Sequence, residues 1–318
     1  MAVLRYVLLA AFAACSLCVR AQGYPNKPVK IVVAAGPGTV DDVGARIVAE
    51  KAGAILGQQL YIENRPGAGG SIGQVFVMKS PADGYTLLLA GGSMAGARYA
   101  NANVTYDVLR DFTPISLIAT SVFALAANPA LPIRDVKDLI AYAKKNPGKV
   151  TYGTIGAGQM PYWNVMLFNS MAGIDVVQVP YKASPEVVTD LIAGRVDYYI
   201  TGLTSFLPVK DKLKILAVTT SARSELMPEV PTMAEAALPG YDMPTWQSIM
   251  GPAGMQRERV AILNKAIGQA LAAPEVGERL QKAGLNAAPS TPEELRRRYE
   301  HWIAIFGKIA KDVGLKPQ

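Results

Sequence analysis

Short apolar runs rich in β-branched residues alternate with helix-period patterns along most of this chain, and Gly-rich turns stand at the junctions. PVKIVVA (28–34), LYIE (60–63) and YTLLLA (85–90) read as strands. DVGARIVAEKAGAIL (42–56) reads as the helix between the first two: Val43, Ile47, Val48, Ala52, Ile55 and Leu56 fall on one face, and Gly57 ends it. SIGQVFVMK (71–79) is the next helix. A βαβαβ order implies a parallel sheet with helices packed on it.

The order repeats after ISLIATSVFALAANP (115–129). DVKDLIAYAKKNPG is a helix, with Asp135 as N-cap and Asn146-Pro147-Gly148 as its stop. KVTYG, VVQVP, RVDYYI and KLKILAVTT are strands; PYWNVMLFNSMAG and SPEVVTDLIAG are helices. The chain finishes in helices, the last opening on the capping box Thr291-Pro292-Glu293-Glu294. The 318 residues thus form two α/β units joined near 115–129, each mainly a parallel sheet with flanking helices.

The start of the chain differs. Arg5, an apolar run at 6–18 and Val19-Arg20-Ala21 read as a secretory signal peptide over 1–21; an N-terminal anchor and a lipoprotein signal at Cys15 are the competing readings. Cleavage after Ala21 removes Cys15 and Cys18, the two cysteines of the chain, and with them any disulfide, thiolate or Cys-bound metal. It also removes Arg5 and Arg20, leaving 30 basic against 25 acidic side chains. That mild positive balance suits small anions. The basic residues are scattered, and Arg296-Arg297-Arg298 reads as a solvated helix face, so nucleic acid is not an expected partner.

Catalytic readings are thin. Gly36-x-Gly38-x-x-Asp41 starts like a dinucleotide fingerprint, but Asp41 and Asp42 stand where a pyrophosphate would sit. Gly69-Gly70-Ser71-Ile72-Gly73 matches a hydrolase elbow, with His301, the chain's one histidine, as the candidate base. Yet a loop, Arg65-Pro66-Gly67-Ala68-Gly69, precedes Ser71 where an elbow needs a strand. In the last helix His301 falls outside the apolar stripe of Leu295, Tyr299, Trp302, Ile303, Phe306 and Ile309. Ser71 reads better as a turn and helix cap. One histidine and few clustered carboxylates leave little to bind a metal, and no cofactor is expected.

Four Gly-rich loops, 36–42, 66–71, 91–96 and 153–160, lie at strand-to-helix junctions. In parallel sheets these mark the ligand edge, and backbone N–H groups at helix starts favour anions. Two such clusters facing each other across a cleft suit a molecule with carboxylates at its ends.

YPNKPVKIVV (24–33), ENRPGAGGSIG (63–73), SPADGYTLLL (80–89), TYDVLRDFTPISLIA (105–119), LIAYAKKNPGKVTYGT (139–154), MAGIDVVQVPYKAS (171–184), LAVTTSARSELMPEVPTMAEAALPGYD (216–242) and GPAG (251–254) together resemble the Bug-type solute-binding proteins of tripartite tricarboxylate transporters. The resemblance covers nearly all of the chain after the leader. It implies a two-lobed, type II periplasmic binding fold, with lobe 1 over 22–122 and 248–318 and lobe 2 over 123–247. It implies a periplasmic, monomeric, non-enzymatic receptor that closes over a small organic carboxylate and delivers it to membrane transporter subunits. A receptor that reports to a sensor protein, or a secreted hydrolase using Ser71, are the alternatives.

The ligand residues the resemblance implies are Gly38, Thr39, Asp41 and Asp42 in lobe 1, to which the Gly-rich loop 91–96 adds Gly92 and Ser93. In lobe 2 they are Thr154, Gly156, Gln159, Pro161, Tyr181, Lys182, Ala183, Ser184, Thr201 and Gly202. The sequence departs from the family pattern at several of these. Asp41 stands where Thr is usual, and Ile155, Gln159, Met160 and Tyr162 replace small hydroxyl residues and a His. Thr201 replaces a common Asp. These changes point to a ligand with an apolar or aromatic body and not to citrate.

Overall fold

The computed structural model describes residues 23–156 and 158–317; the signal-peptide reading and both cysteines fall outside these described residues. Two sheets form the frame. The first has six strands in the order β11-β4-β10-β3-β1-β2, and the second has five in the order β7-β6-β8-β5-β9. In the first, β1 (Val29–Val33) lies parallel between β2 (Leu60–Asn64) and β3 (Thr86–Gly91). Antiparallel to β3 runs β10 (Thr245–Pro252), followed by β4 (Phe112–Ser121) and the short β11 (Asn286–Ala287). In the second, β6 (Thr151–Thr154) is parallel to β7 (Val177–Pro180) and β8 (Tyr198–Gly202). There β5 (Phe123–Ala127) is antiparallel to β8 and to β9 (Lys214–Val218).

The two-lobed α/β reading holds, but each sheet is more mixed than the mainly parallel ones expected. The reason lies in the crossings. Strand β4 ends the first passage through the first sheet at Ser121, and β5 opens the second sheet at Phe123, one residue later. The chain is back in the first sheet by Thr245, ahead of the 247/248 boundary read from the sequence. Strands that carry the chain out of and into a sheet bring their own direction with them.

The helices form where the period-3.6 pattern placed them. α1 (Val40–Leu56) buries Ala45, Ile47, Val48, Ala49 and Ala52, and Gly57 closes it in the left-handed conformation. Ile55, expected on the buried face, is exposed. α2 (Ser71–Met78), α3 (Val136–Lys145), α4 (Met160–Ala172) and α5 (Ser184–Ile192) complete the βα cycles. Asp135 caps α3 as expected, accepting from the Asp138 amide. Then come α6 (Arg257–Leu271), α7 (Pro274–Lys282) and α8 (Pro292–Asp312), the last held by the Thr291–Glu294 capping box.

One apolar core fills the space between α1, α6, α7 and the first sheet, around Ile31, Ala45, Ile249 and Leu263. A larger one runs from Leu88, Trp246, Trp302 and Phe306 in the first lobe to Trp163, Phe168 and Tyr198 in the second. Trp163 and Phe306 meet at 4.7 Å between ring centroids, so α4 and α8 tie the lobes on one side of the cleft. Arg298, read as solvated, is partly buried, with its guanidinium 5.5 Å from the Trp246 ring centre.

Candidate functional site

The loops that follow β1, β2, β3, β6, β7 and β8 are the frame of the site. Thr39 caps α1: its hydroxyl donates to the Gly36 carbonyl at 2.8 Å and accepts the Asp42 amide at 3.3 Å. Gly38 reaches φ +77°, and its N–H donates to Asp42 Oδ2 at 2.9 Å. Asp42 is buried and holds the loop together. Arg46 donates to both its oxygens at 3.0 and 2.9 Å, and Asn64 Nδ2 donates to Oδ1 at 2.9 Å. Burial pushes this carboxyl up, but hydrogen bonds from Arg46, Gly38 and Asn64 outweigh burial and hold it below the usual carboxylate range.

Asp41 differs. Gln247 Nε2 donates to its Oδ1 at 2.9 Å and is its single donor among the described residues. Burial pushes this carboxyl up, with the Gln247 bond acting against it.

After β2, four successive residues have positive φ: Gly67 at 122°, Ala68 at 47°, Gly69 at 66° and Gly70 at 95°. Glycine takes such angles freely, whereas Ala68 stores on the order of 1 kcal/mol or more of strain. The left-handed turn delivers the chain to the start of α2, whose N-cap Gly70 offers no side-chain cap. Ser71 Oγ donates to the Ala68 carbonyl at 2.9 Å, the turn role read from the sequence; the cap position belongs to Gly70, so Ser71 does not cap α2. His301 is exposed, as its position off the apolar stripe required.

On the facing lobe, β6 ends at Thr154, whose hydroxyl is buried without a hydrogen-bond partner. The Thr154 carbonyl accepts the Tyr181 amide at 2.8 Å, which joins the loops after β6 and β7. α4 starts at Met160 without a side-chain cap. Its N-cap residue Gln159 reaches across the cleft instead and donates from Nε2 to the Gly69 carbonyl at 3.0 Å. α5 likewise starts without a side-chain cap, after Ala183. Ser184 Oγ stands 2.7 Å from Tyr199 OH and 3.4 Å from Thr201 Oγ1.

The loops that lead into α2 and α4, two helices without a side-chain cap, therefore meet through the Gln159–Gly69 bond. Helix starts carry free backbone N–H groups and the positive end of the dipole, which favour anions. Between Gly69, Ser71, Ser93 and Gly158 the lobes leave a cavity of about 10 Å³, space for about one water. Of the roomier grooves, one of about 730 Å³ beside Phe76 and Lys79 reaches Arg65 and Ser71 of the loop after β2, whereas those of about 660 Å³ beside Gly53 and Tyr61 and about 610 Å³ beside Met255 and Arg296 carry none of these loops.

The sequence model of the tripartite tricarboxylate transporter family receptor matches residues 44–315. The chain belongs to this receptor family. Protein BugT of Bordetella pertussis is 33% identical over 302 residues, which cover 94% of this chain and 93% of BugT. Among solved structures, R. palustris Rpa4515 with adipate superposes with a TM-score of 0.83 at 32% identity, over 93% of this chain and 100% of the other. MatC from Rhodopseudomonas palustris with bound malate gives 0.79 at 28% identity, over 90% and 100%.

The receptor fold treats the expected residues unequally. Gly38, Thr39, Asp42 and Gln159 are joined by hydrogen bonds within or across the loops. Ser93, Thr154, Gly156, Ser184, Thr201 and Gly202 stand at strand ends or in the loops that follow them. Gly92 and Pro161 are buried and shape the backbone. Tyr181 turns away: its hydroxyl donates to Asp190 at 2.8 Å, and burial with that partner pushes its pKa up to about 12. Lys182 and Ala183 are exposed, and the Lys182 ammonium makes no ion pair among the described residues. Met160 and Tyr162 are core residues, so they do not furnish the apolar ligand surface expected of them; Ile155 and Gln159 remain half-buried in that loop.

Sequence reasoning missed Gln247, Asn64 and Tyr199, and it placed Gly69 in a candidate loop without singling it out. Gln247 had a signal: Gln247-Ser248 is a polar pair inside the otherwise apolar TWQSIMGP, and both residues are buried.

Proposed function

We propose that this receptor captures a small organic carboxylate in the cleft between its lobes, outside the cytoplasm, and delivers it to the membrane subunits of a tripartite tricarboxylate-type transporter. The observation that carries the reading is the meeting of the uncapped starts of α2 and α4 across the Gln159–Gly69 bond. Backbone N–H groups there neutralise a carboxylate without a lysine or arginine, directly or through bridging water. Closure removes bulk water and strengthens those bonds. Adipate and malate in the two related structures are carboxylates of this size.

The reading includes a leader over 1–21 cleaved near Ala21, lobes at 22–122 with 245–318 and at 123–244, and a monomer without metal or cofactor. It also includes the absence of catalysis. The Ser71 hydroxyl is committed to the Ala68 carbonyl, and the exposed His301 is no base for it. The ligand residues are Gly38, Thr39, Asp41, Ser93, Thr154, Gly156, Gln159, Ser184, Thr201 and Gly202, with Asp42 as the brace of the first loop.

The test is a thermal-shift panel on the chain from Gln22 onward, freed of ligand by unfolding and refolding. The panel holds di- and tricarboxylates, hydroxy- and amino-carboxylates, aromatic carboxylates, and nucleotides as controls. A ligand at about 100 times its Kd adds about 2.7 kcal/mol, a shift of several degrees. A shift with one carboxylate class and none with nucleotides is the expected result. Silence across all carboxylates overturns the reading.

A further inference from the structure

We infer that Asp41 makes this cleft selective for a ligand that brings a hydrogen-bond donor to the first lobe: a carboxylate carrying a hydroxyl or ammonium at its other end, in preference to one with carboxylates at both ends. The inference rests on the receptor reading above and refines it.

Two neighbouring carboxylates in one turn of α1 are treated in opposite ways. Asp42 receives two donors on each oxygen: Arg46 Nη2 and Asn64 Nδ2 on Oδ1, Arg46 Nε and the Gly38 amide on Oδ2. An ionised carboxylate has about four such acceptor positions, so Asp42 is saturated. Asp41 receives one donor, Gln247 Nε2 at 2.9 Å on Oδ1, and no cation pairs with it among the described residues. It is only partly exposed, so solvent does not fully make up the difference.

The single donor is placed at a cost. Gln247 Nε2 also donates to the Val40 carbonyl at 3.1 Å, which fixes the amide: turned over, its oxygen would face that carbonyl. In this orientation Gln247 Oε1 is buried without a partner. It lies so close to α1 that a Cβ on Gly44 would stand 2.3 Å from it. A buried orphan acceptor is destabilising, and packing alone does not call for one. It places a donor on one oxygen of Asp41 and leaves the other for a partner from outside the fold. Gln247 pairs with Gly91, where β3 ends and the Gly92-Ser93 loop begins, so Asp41 stands at the ligand edge of the first sheet.

Charge then sets the orientation of the ligand. The uncapped starts of α2 and α4 attract the carboxylate end. Asp41, at a helix start already neutralised by Thr39 and two acids, accepts from the other end. A second carboxylate there brings acceptors to an acceptor, whereas a hydroxyl or ammonium completes the hydrogen bonding of Asp41.

Calorimetric titration with length-matched sets tests this: succinate, 4-hydroxybutyrate and 4-aminobutyrate; adipate, 6-hydroxyhexanoate and 6-aminohexanoate. The proteins are the wild type, Asp41→Thr and Asp41→Asn. The wild type is expected to bind the better donor-ended member of a set at least tenfold more tightly than its dicarboxylate. Both variants should narrow that ratio by at least tenfold, mainly through tighter dicarboxylate binding. A wild type that prefers the dicarboxylates, or variants that keep the wild-type ranking, overturns the inference and leaves the receptor reading standing. Absence of binding to every panel member by all three proteins overturns both. The wild-type ranking decides the matter even where a variant folds poorly.

Discussion

The Gln159 side chain in the second lobe donates to the Gly69 carbonyl in the first at 3.0 Å, a single hydrogen bond that spans the cleft between two helix starts. It forms only when the lobes are together, so it stabilises the closed state and contributes to affinity through closure. A net contribution of about 1 kcal/mol corresponds to about fivefold in Kd. Gln159→Ala should weaken ligand binding by that factor, with the melting temperature of the ligand-free protein nearly unchanged. Calorimetry and small-angle scattering with and without ligand check it. Unchanged affinity together with an unchanged ligand-bound radius of gyration would show that the bond carries no part of closure.

The lobes also touch through Gly284 and Thr204, beside Val122 at the crossing from β4 to β5. Gly284 has φ +76°, and a Cβ there would stand 2.1 Å from Thr204 Cγ2. Gly284→Ala adds both a wedge and backbone strain, and should lower the melting temperature and the fraction of closed protein. Thr204→Ala removes the colliding methyl and should restore the closed fraction, leaving only the strain of about 1 kcal/mol. The double-mutant cycle separates the two effects. A coupling near zero would show that the lobes yield at this point without cost.

Ser71→Ala and His301→Ala address the hydrolase reading. Ser71 makes a turn bond to Ala68, so its removal should cost about 1 kcal/mol of stability and change Kd by less than about fivefold. His301→Ala, at an exposed position, should change neither stability nor binding. Ester or amide turnover that is present in the wild type and abolished by either substitution would overturn the non-catalytic reading.

Much of this architecture is legible in the sequence because local rules and the fold agree. The period of α1, the Gly57 stop, the Asp135 cap and the Thr291–Glu294 box each depend on a few neighbouring residues. What depends on distant strands is not legible. β4 and β10 are apolar runs whose direction is set only by the crossings between lobes. Met160 and Tyr162 follow a ligand loop in sequence, but the first turn of α4 rolls both into the core. Tyr181 lies in the YKAS turn, and its hydroxyl is claimed by Asp190 in the second turn of α5. Gln247 is 206 residues from Asp41, and only the sheet brings them together.

The brace at Asp42 makes the last prediction one about pH. Its folded-state pKa is held low, so its stabilising effect is fully present above the usual carboxylate range of about 4 and is lost as pH falls through the native value. Asp42→Asn keeps the shape but loses the charge. It leaves Arg46, half exposed, facing a neutral amide, and returns one Asn amide donor against the Asn64 and Gly38 donors. The cost at pH 7 should be about 2 kcal/mol, the scale for losing hydrogen bonds to a charged group whose cationic partner is half exposed. Urea denaturation of both proteins from pH 7 down to pH 3 checks the sign. The gap should shrink as pH falls, because the wild type then loses by protonation what the variant lacks throughout. A gap as wide at pH 3 as at pH 7 would show that the shape of the side chain, and not its charge, holds the first ligand loop in place.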